Sequence, residues 1–236
     1  VQVYPDIILK KITVRVKILN REENPEKTKL ALKADSWNSD VKHYVPSKSF
    51  PVTLKKGENT IDLTYSMGTN TLFWSEFNPA LYKLTVTLKG KKVLDTSTID
   101  FGMSKFSTKG TQFTINGTRT FLRGKHDACV FPLTGHPPMD KEGWQKIFRI
   151  AKSYNINFYR FHSWTPPLAA FEAADIEGIY LQPELPFWGG FSKNRNSDLN
   201  TFLLKEGDHI LETYGNHASF VMFALGNELS GDFDAM

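Results

Sequence analysis

The second half of the chain places an acidic side chain directly after a long apolar run. Residues 220–225 are continuously apolar and are followed by Gly226, Asn227 and Glu228. A six-residue run of this kind is typical of a strand that is buried on both faces of a parallel sheet. Enzymes with such sheets assemble their active sites at the C-terminal ends of the strands. We therefore predict that Glu228 is a site residue.

Three other predicted strands also end in polar side chains. His126 and Asp127 follow residues 120–123, Arg160 and His162 lie at the end of residues 157–162, and Glu184 follows residues 179–182. Side chains at the same end of parallel strands converge on one site. Structural roles remain open for each of them. Arg160 and Glu184 are also suited to a buried ion pair, His162 to a hydrogen-bonded place in the core, and Glu228 to capping a following helix.

Aromatic residues occur in the loops after the second and third of these strands. They are Trp164, Phe187, Trp188 and Phe191. Flat rings in such loops stack on the apolar faces of sugar rings, but they can equally pack over the end of the sheet.

Alternating strands and helices would position these residues. Helices are predicted from a cap near Asp140, over residues 168–177 before Gly178, and over about residues 199–214. The order β-α-β-α-β-α-β predicts parallel strands with right-handed crossovers. It fits half of an eight-stranded barrel or a small doubly wound sheet. No glycine-rich phosphate loop follows a strand, which weakens a nucleotide-binding alternative.

The first 110 residues have an all-β pattern with period two, broken by turn residues. Seven short strands in about a hundred residues predict an immunoglobulin-like β-sandwich. An Asn116-Gly117 hairpin then opens the second part. The predicted domains are residues 1–110, the sandwich, and residues 111–236, the α/β part. The predicted strands are residues 7–19, 28–34, 52–54, 60–65, 81–88, 92–95 and 99–106.

Composition is that of an ordinary soluble globular protein. The 236 residues are 40% hydrophobic and 23% charged, with a net charge of +4. Basic residues concentrate in the first 110, which could indicate nucleic acid or an anionic surface, but they alternate with apolar residues as on the solvent face of strands. There is no apolar stretch of membrane-spanning length and no signal-peptide pattern. A chain that opens on Val1 suggests a segment of a longer protein.

The numbers and spacing of cysteine and histidine limit the possibilities for disulfides, a catalytic thiol and metal sites. Cys129 is the only cysteine, so an intrachain disulfide and a cysteine zinc site are excluded. A catalytic thiol would need His126 as its base. The histidines lack helical metal-site spacing, although a metal-dependent hydrolase using His126, His136 and His162 remains a weaker alternative. We expect no cofactor and no nucleic-acid or membrane partner.

Five segments together resemble glycoside hydrolase family 2, which includes β-galactosidases, β-glucuronidases and β-mannosidases. The residue order is more specific than any single motif, and the resemblance covers nearly the whole chain. It implies the sandwich followed by the first half of a (β/α)₈ TIM barrel. The matching segments are FWSEFNPALYKLTVTL (73–88), FTINGTRTFLRG (113–124), RFHSWTPP (160–167), FEAADIEGIYLQPELP (171–186) and NHASF with FALGNELS (216–230).

The resemblance also implies roles for individual residues. Glu228 corresponds to the general acid/base of a retaining β-glycosidase, and Asn227 to its neighbour that contacts the sugar 2-hydroxyl. The nucleophile comes from a later strand, outside this chain, and Glu184 does not replace it. The predicted substrate-binding residues are Asn227, His162, Arg160, Glu184, His126 and Trp164.

Some features depart from the family pattern. The segment Gly124-Lys125-His126 is shortened, and the loop after His162 differs from the commoner His-Tyr-Pro, so the choice among galactose, glucuronate and mannose stays open. A non-catalytic carbohydrate-binding or scaffold protein is the alternative. Open barrel edges predict a homo-oligomer, and a periplasmic or secreted location is expected for the parent protein.

Overall fold

The protein forms two compact units. The computed structural model describes residues 1–91 and 94–235. The first unit is Val1–Thr120, and the second begins at Phe121. None of the helices in the described chain is long and apolar enough to cross a bilayer.

Two antiparallel sheets share one core in the first unit. Their strand orders are β1-β2-β5 and β4-β3-β6-β7. Alternate residues point inward, so that Ile12 and Val14 of one sheet and Leu30 and Leu32 of the other are buried in the same cluster. The strands are β1 (Gln2–Asp6), β2 (Lys11–Asn20), β3 (Glu26–Ser36), β4 (Tyr44–Leu54), β5 (Gly57–Ser66), β6 (Tyr82–Lys89) and β7 (Leu94–Phe101).

The predicted strand over residues 7–19 is wrong at its start. A turn separates β1 from β2, and Asp6 Oδ1 accepts the N–H groups of Ile8 and Leu9. Both apolar side chains are exposed, so their hydrophobicity gave a false strand signal. The predictions for residues 92–95 and 99–106 fall on the single strand β7, and Lys92 and Val93 lie outside the described residues.

A small third sheet completes the first unit, in the order β10-β9-β8. Its strands are β8 (Phe106–Lys109), β9 (Gln112–Ile115) and β10 (Thr118–Arg119). Asn116 and Gly117 have φ angles of 53° and 81°. Two successive positive φ angles are what a type I′ hairpin turn requires, and the predicted hairpin is confirmed.

The second unit alternates strands and helices, with β11, β12 and β13 parallel in that order. Helices α1 and α2 make the two crossovers and bury Trp144, Phe148 and Phe171 against Phe161. The elements are β11 (Gly124–Asp127), α1 (Lys141–Ser153), β12 (Phe158–Phe161), α2 (Leu168–Glu177), β13 (Tyr180–Gln182), β14 (Trp188–Phe191), α3 (Asp198–Tyr214), β15 (Asn227–Gly231) and a short 3-10 helix (Phe233–Ala235).

The helix predictions are confirmed by their caps. Asp140 Oδ1 accepts the N–H of Gly143 at 2.7 Å, which satisfies one free donor at the start of α1. Gly178 ends α2 in the left-handed region, with φ 71°.

Two of the predicted strands in this unit need correction. The strand expected at residues 120–123 is wrong in position, because the strand there is β11, which begins at Gly124. A glycine fits inside this strand because a Cβ at residue 124 would lie 2.8 Å from Phe158 Cδ1. The run 220–225 is only half-buried and forms isolated parallel bridges, Leu181 to Phe220 and Glu184 to Ala224. Pro183 lies between them and has no N–H to continue the ladder.

Candidate active site

The polar residues singled out above lie at the C-terminal ends of β11 and β12, just past β13, and at the start of β15. His126 of β11 stands opposite Arg160 of β12 in the parallel register. His162 follows β12, and Glu184 comes two residues after β13. Since β11, β12 and β13 run in the same direction, their polar ends meet at one edge of the sheet.

Arg160 links two of these residues. Its Nε donates to Glu184 Oε1 at 2.7 Å, and a terminal N–H donates to Asn227 Oδ1 at 2.8 Å. The fork of the guanidinium makes two such directed bonds possible. One cation therefore connects the end of β12 with Glu184 and with the residue before Glu228.

Glu184 is fully buried and satisfied on both oxygens. Its Oε2 accepts the backbone N–H of Ser163 at 2.7 Å, and Ser163 is in the left-handed region at φ 57°. The ion pair with Arg160 is formed, with the carboxylate buried and the arginine side chain 34% exposed. Each oxygen of this carboxylate accepts a hydrogen bond, so Glu184 is held in place and can orient its neighbours.

Glu228 is exposed and lies in β15, beside the Arg160 network. Its Oε2 accepts the indole N–H of Trp188 at 2.8 Å. Its φ is 46°, which is uncommon for a residue with a side chain. Because Glu228 lies inside a strand, the alternative that it caps a helix is wrong.

Three rings form a row next to this carboxylate. The ring centroids of His126 and His162 are 4.8 Å apart, and those of His162 and Trp188 are 4.9 Å apart. His162 is thus in contact with two rings at the strand ends, and Trp188 is 59% exposed. The row presents an aromatic surface beside Glu228.

Trp164 is placed differently. Its indole N–H donates to the Asp127 carbonyl at 3.0 Å, and its ring packs edge-on against Phe161 at 5.2 Å. Trp164 is therefore used in packing, whereas Trp188, absent from the predicted site residues, contacts Glu228. Only the pairing of β14 with β15 brings Trp188 there, and no signal in the local sequence distinguishes the two tryptophans.

The described residues do not form the catalytic thiol site or the histidine metal site that were the alternatives. Burial, and secondly the charge of Asp127, raise the pKa of the Cys129 thiol, which is opposite to the direction that a nucleophilic thiol needs. In the described part of the chain, no three His, Cys, Asp or Glu side chains are grouped as metal ligands. The exposed His136 ring contacts the Pro137 carbonyl instead.

A family model matches the first part of the chain. Residues 1–103 match the family model described as glycosyl hydrolases family 2. A β-galactosidase of Staphylococcus xylosus is 25% identical over 245 aligned positions, covering 94% of this chain and 24% of that protein. A β-glucuronidase of Paenibacillus borealis is 28% identical, covering 67% of this chain and 28% of that protein.

The structural likeness supports the same fold. A solved glycosyl hydrolase family 2 member from Bacteroides cellulosilyticus superposes with a TM-score of 0.77 at 24% identity, covering 93% of this chain and 28% of that one. The chain spans between 16% and 31% of the length of the curated relatives it matches. It therefore corresponds in length to a part of these relatives.

The matches divide between the two units. The family model covers most of the first unit, while the Staphylococcus alignment reaches across 94% of the chain and so includes the second unit as well. The similarity to these proteins thus extends over both the sandwich and the part that carries Arg160, Glu184 and Glu228.

Proposed function

We propose that this chain is part of a retaining β-glycosidase, in which Glu228 is the general acid/base. The observation that carries the proposal is the network of Arg160. This cation bonds Asn227, the immediate neighbour of Glu228, to the buried Glu184. An exposed carboxylate beside such a fixed polar cluster is open to a sugar substrate and surrounded by groups that can orient it.

The proposed reaction has two steps. Glu228 donates its proton to the glycosidic oxygen as the bond from that oxygen to the anomeric carbon breaks, while a second carboxylate forms a covalent bond to the same carbon. Glu228, now a carboxylate, then takes a proton from water. The hydroxide adds to the anomeric carbon and releases the second carboxylate.

We propose that this nucleophile is supplied from outside the 236 residues. Retaining glycosidases hold their two carboxyl groups about 5–5.5 Å apart. Glu184 is the nearby alternative, but its oxygens are engaged by Arg160 and by the Ser163 N–H. The small share of the curated relatives that the chain spans also supports a nucleophile elsewhere in the protein.

The remaining site residues are proposed to bind the sugar. Asn227 and Arg160 present polar groups beside the carboxylate, and the rings of His126 and His162 lie next to them. Trp164 was predicted to join them, but its packing against Phe161 favours a supporting role.

The architecture proposed for the parent protein follows from the same family. Residues 1–110 would be an immunoglobulin-like sandwich, supported by two sheets around one core. Residues 111–236 would be the first half of a (β/α)₈ barrel, supported by three parallel strands with helical crossovers and by the fourth segment that bridges to Leu181 and Glu184. Unpaired edges of such a half-barrel would favour association with further chain or with a second copy.

Hydrolysis by the parent polypeptide that carries these residues tests the proposal. Aryl β-galactosides, β-glucuronides and β-mannosides are assayed with the wild-type protein, with Glu228→Gln and with Glu228→Ala. We expect the Gln variant to lose about 10²–10⁴-fold in rate, the usual contribution of a general acid/base. Glu172→Gln, on the exposed side of α2, is the matched control and should keep full activity.

Azide provides the second readout. With Glu228→Ala and a reactive aryl glycoside, azide should trap the covalent intermediate and give a glycosyl azide of retained configuration. An azide of inverted configuration would assign Glu228 as the nucleophile and refute the proposed role. Binding of glycosides without turnover in the wild-type parent would favour a carbohydrate-binding protein. Hydrolysis by the 236-residue chain alone that vanishes in Glu228→Gln would refute a nucleophile from outside it.

A further inference from the structure

We propose that Trp188 is a positioning residue for Glu228: its indole N–H fixes Oε2, so that the transferred proton is carried by Oε1. The inference rests on the proposed function, because it specifies how Glu228 would act as an acid. Trp188 is given this role because it contacts Glu228 and because β14 pairs with β15.

The chemistry of the indole decides which oxygen carries the proton. The distance from Trp188 Nε1 to Glu228 Oε2 is 2.8 Å, which is a normal hydrogen bond. An indole N–H only donates, so Oε2 must accept in both protonation states of the carboxyl group. The proton of neutral Glu228 is therefore placed on Oε1, which would be the oxygen that donates to the leaving group.

Strand pairing keeps the two side chains together. Trp188 of β14 is the direct parallel partner of Asn227 in β15, and the Asn227 N–H donates to the Phe187 carbonyl at 3.0 Å. The backbones approach so closely that a Cβ at residue 226 would lie 2.3 Å from that carbonyl oxygen, which only Gly226 permits. The register of the pair is thus fixed by backbone contacts.

A second contact holds the indole itself. The His162 ring meets the Trp188 ring edge-on at 4.9 Å between centroids, and the His126 ring lies 4.8 Å from the His162 ring, tilted by 45°. An indole fixed by a ring loses less side-chain entropy when its N–H binds the carboxylate. The orientation of the carboxylate thus depends on β11 and β12 as well as on β14.

Several charged or titratable groups surround Trp188 and Glu228, and the test must distinguish their effect on the indole from the effect of Glu228. His162 faces Trp188 from the end of β12, and His126 of β11 contacts His162. Arg160 donates to Asn227 and to Glu184. On the elements of the pair itself, Lys193 follows β14, and Asp232 and Asp234 follow β15. A response of the indole that comes from any of these groups will survive the removal of the Glu228 charge.

The first experiment uses the 236-residue chain and needs no catalysis. The chain has five tryptophans, so its ¹⁵N spectrum should contain five indole N–H signals, and Trp188→Phe identifies one of them by its loss. We expect that signal to move with pH in a carboxyl titration that Glu228→Gln abolishes. An indole signal that is insensitive to pH, or whose pH response is unchanged in Glu228→Gln, would overturn the inference. If Trp188→Phe failed to fold, the inference would be overturned when none of the five indole signals loses its pH response in Glu228→Gln.

The second experiment uses the parent polypeptide and its pH–rate profile. Trp188→Phe keeps a ring against His162 but removes the donor that stabilises the carboxylate form. With that donor gone, the alkaline limb of the measured pH–rate profile should move to higher pH than in the wild type. Trp37→Phe, in the first unit, is the control and should leave the limb in place.

The outcomes separate the two proposals. If the indole titrates with Glu228 but the parent hydrolyses no glycoside, the proposed function fails and the hydrogen bond stands. If the parent hydrolyses glycosides through Glu228 while Trp188→Phe leaves the alkaline limb unmoved, the proposed function stands and the positioning role is refuted.

Discussion

Arg160 donates from Nε to Oε1 of Glu184 at 2.7 Å, and the Glu184 side chain is only 1% exposed while that of Arg160 is 34% exposed. The two partners of this ion pair thus differ in their access to water. A cation at the surface can be solvated when its partner is lost, but a buried carboxylate cannot. The energetic consequences of removing either side should therefore be unequal.

Arg160→Met should destabilise the chain more than Glu184→Gln. The first change leaves a buried carboxylate without its cation and should cost about 3–5 kcal/mol. The second removes the charge itself, keeps an acceptor for the Ser163 N–H, and should cost about 1–3 kcal/mol. Urea unfolding of the 236-residue chain measures both.

Arg15→Met is the matched control for this comparison. It breaks an ion pair with Asp62 in which the two side chains are 41% and 45% exposed, and it should cost much less than Arg160→Met. Equal costs for Arg160→Met and Glu184→Gln would contradict the asymmetry argued from burial.

Local signals in the sequence were sufficient for the helices and the hairpin. These signals act on residues that are close in the sequence. They are Asp140 as a helix cap, Gly178 as a left-handed helix terminator and the Asn116-Gly117 turn. The strands were harder because burial depends on distant partners. Ile8 and Leu9 are apolar but exposed, and Gly124 looks like a strand breaker although the Phe158 ring requires a glycine there.

The candidate site could be predicted only in part, because some of its contacts depend on residues that are distant in the sequence. That Arg160 and Glu184 lie at neighbouring strand ends follows from the order of strands and helices, and so does their suitability for an ion pair. The contact between Trp188 and Glu228 does not, because the residues are 40 positions apart and meet through two short strands that are rich in glycine. Alternation patterns do not indicate strands of this kind.

Asp175 should be a major determinant of how the segment before Glu228 is held. Its side chain on α2 is buried, with Oδ2 2.7 Å from His217 Nδ1 and Oδ1 accepting the Ser219 N–H at 2.8 Å. Asp175→Ala removes both acceptors and should cost about 2–4 kcal/mol of unfolding free energy. Asp175→Asn keeps one oxygen for Ser219 and should cost less, about 1–2 kcal/mol.

Thermal and urea denaturation of the two variants measure this difference. Asp208→Asn, on the exposed face of α3, is the control for the change of charge. If Asp175→Asn were as damaging as Asp175→Ala, the charge on Asp175 rather than its bond to Ser219 would be what holds the segment.

Ser163 should tolerate loss of its hydroxyl but not a branched side chain. Its Oγ is buried without a hydrogen-bond partner, while its backbone N–H binds Glu184. Ser163→Ala removes an unsatisfied polar atom and should be neutral or stabilising by up to about 1 kcal/mol. Ser163→Val forces a β-branched residue into a φ of 57° and should cost about 2 kcal/mol or more.

Unfolding midpoints of the two Ser163 variants in urea test this assignment. Lys146→Val, on an exposed position of α1, shows the effect of introducing a valine where the backbone is helical and φ is not positive. A loss of stability in Ser163→Ala comparable to that in Ser163→Val would mean that the hydroxyl makes a bond that contributes to folding.

The first unit should lose stability as the pH falls below neutral because of His43. Burial lowers the pKa of its imidazole below the ordinary value of 6.5. Its Nδ1 lies 2.6 Å from the Tyr82 hydroxyl, which accepts the Leu72 N–H and so has its proton available for the imidazole. The neutral ring is therefore the form that fits.

The sign of the effect follows from proton binding. Below about pH 6.5 the unfolded chain takes up a proton at His43 that the folded chain resists, so the free energy of unfolding falls as the pH drops toward the folded-state pKa. His43→Gln should remove this component, and the difference between the urea midpoints of wild type and variant should change between pH 8 and pH 5. His136→Gln alters an exposed ring and should leave the pH dependence as it is. Parallel pH profiles for wild type and His43→Gln would show that the buried imidazole contributes nothing to the acid sensitivity of this unit.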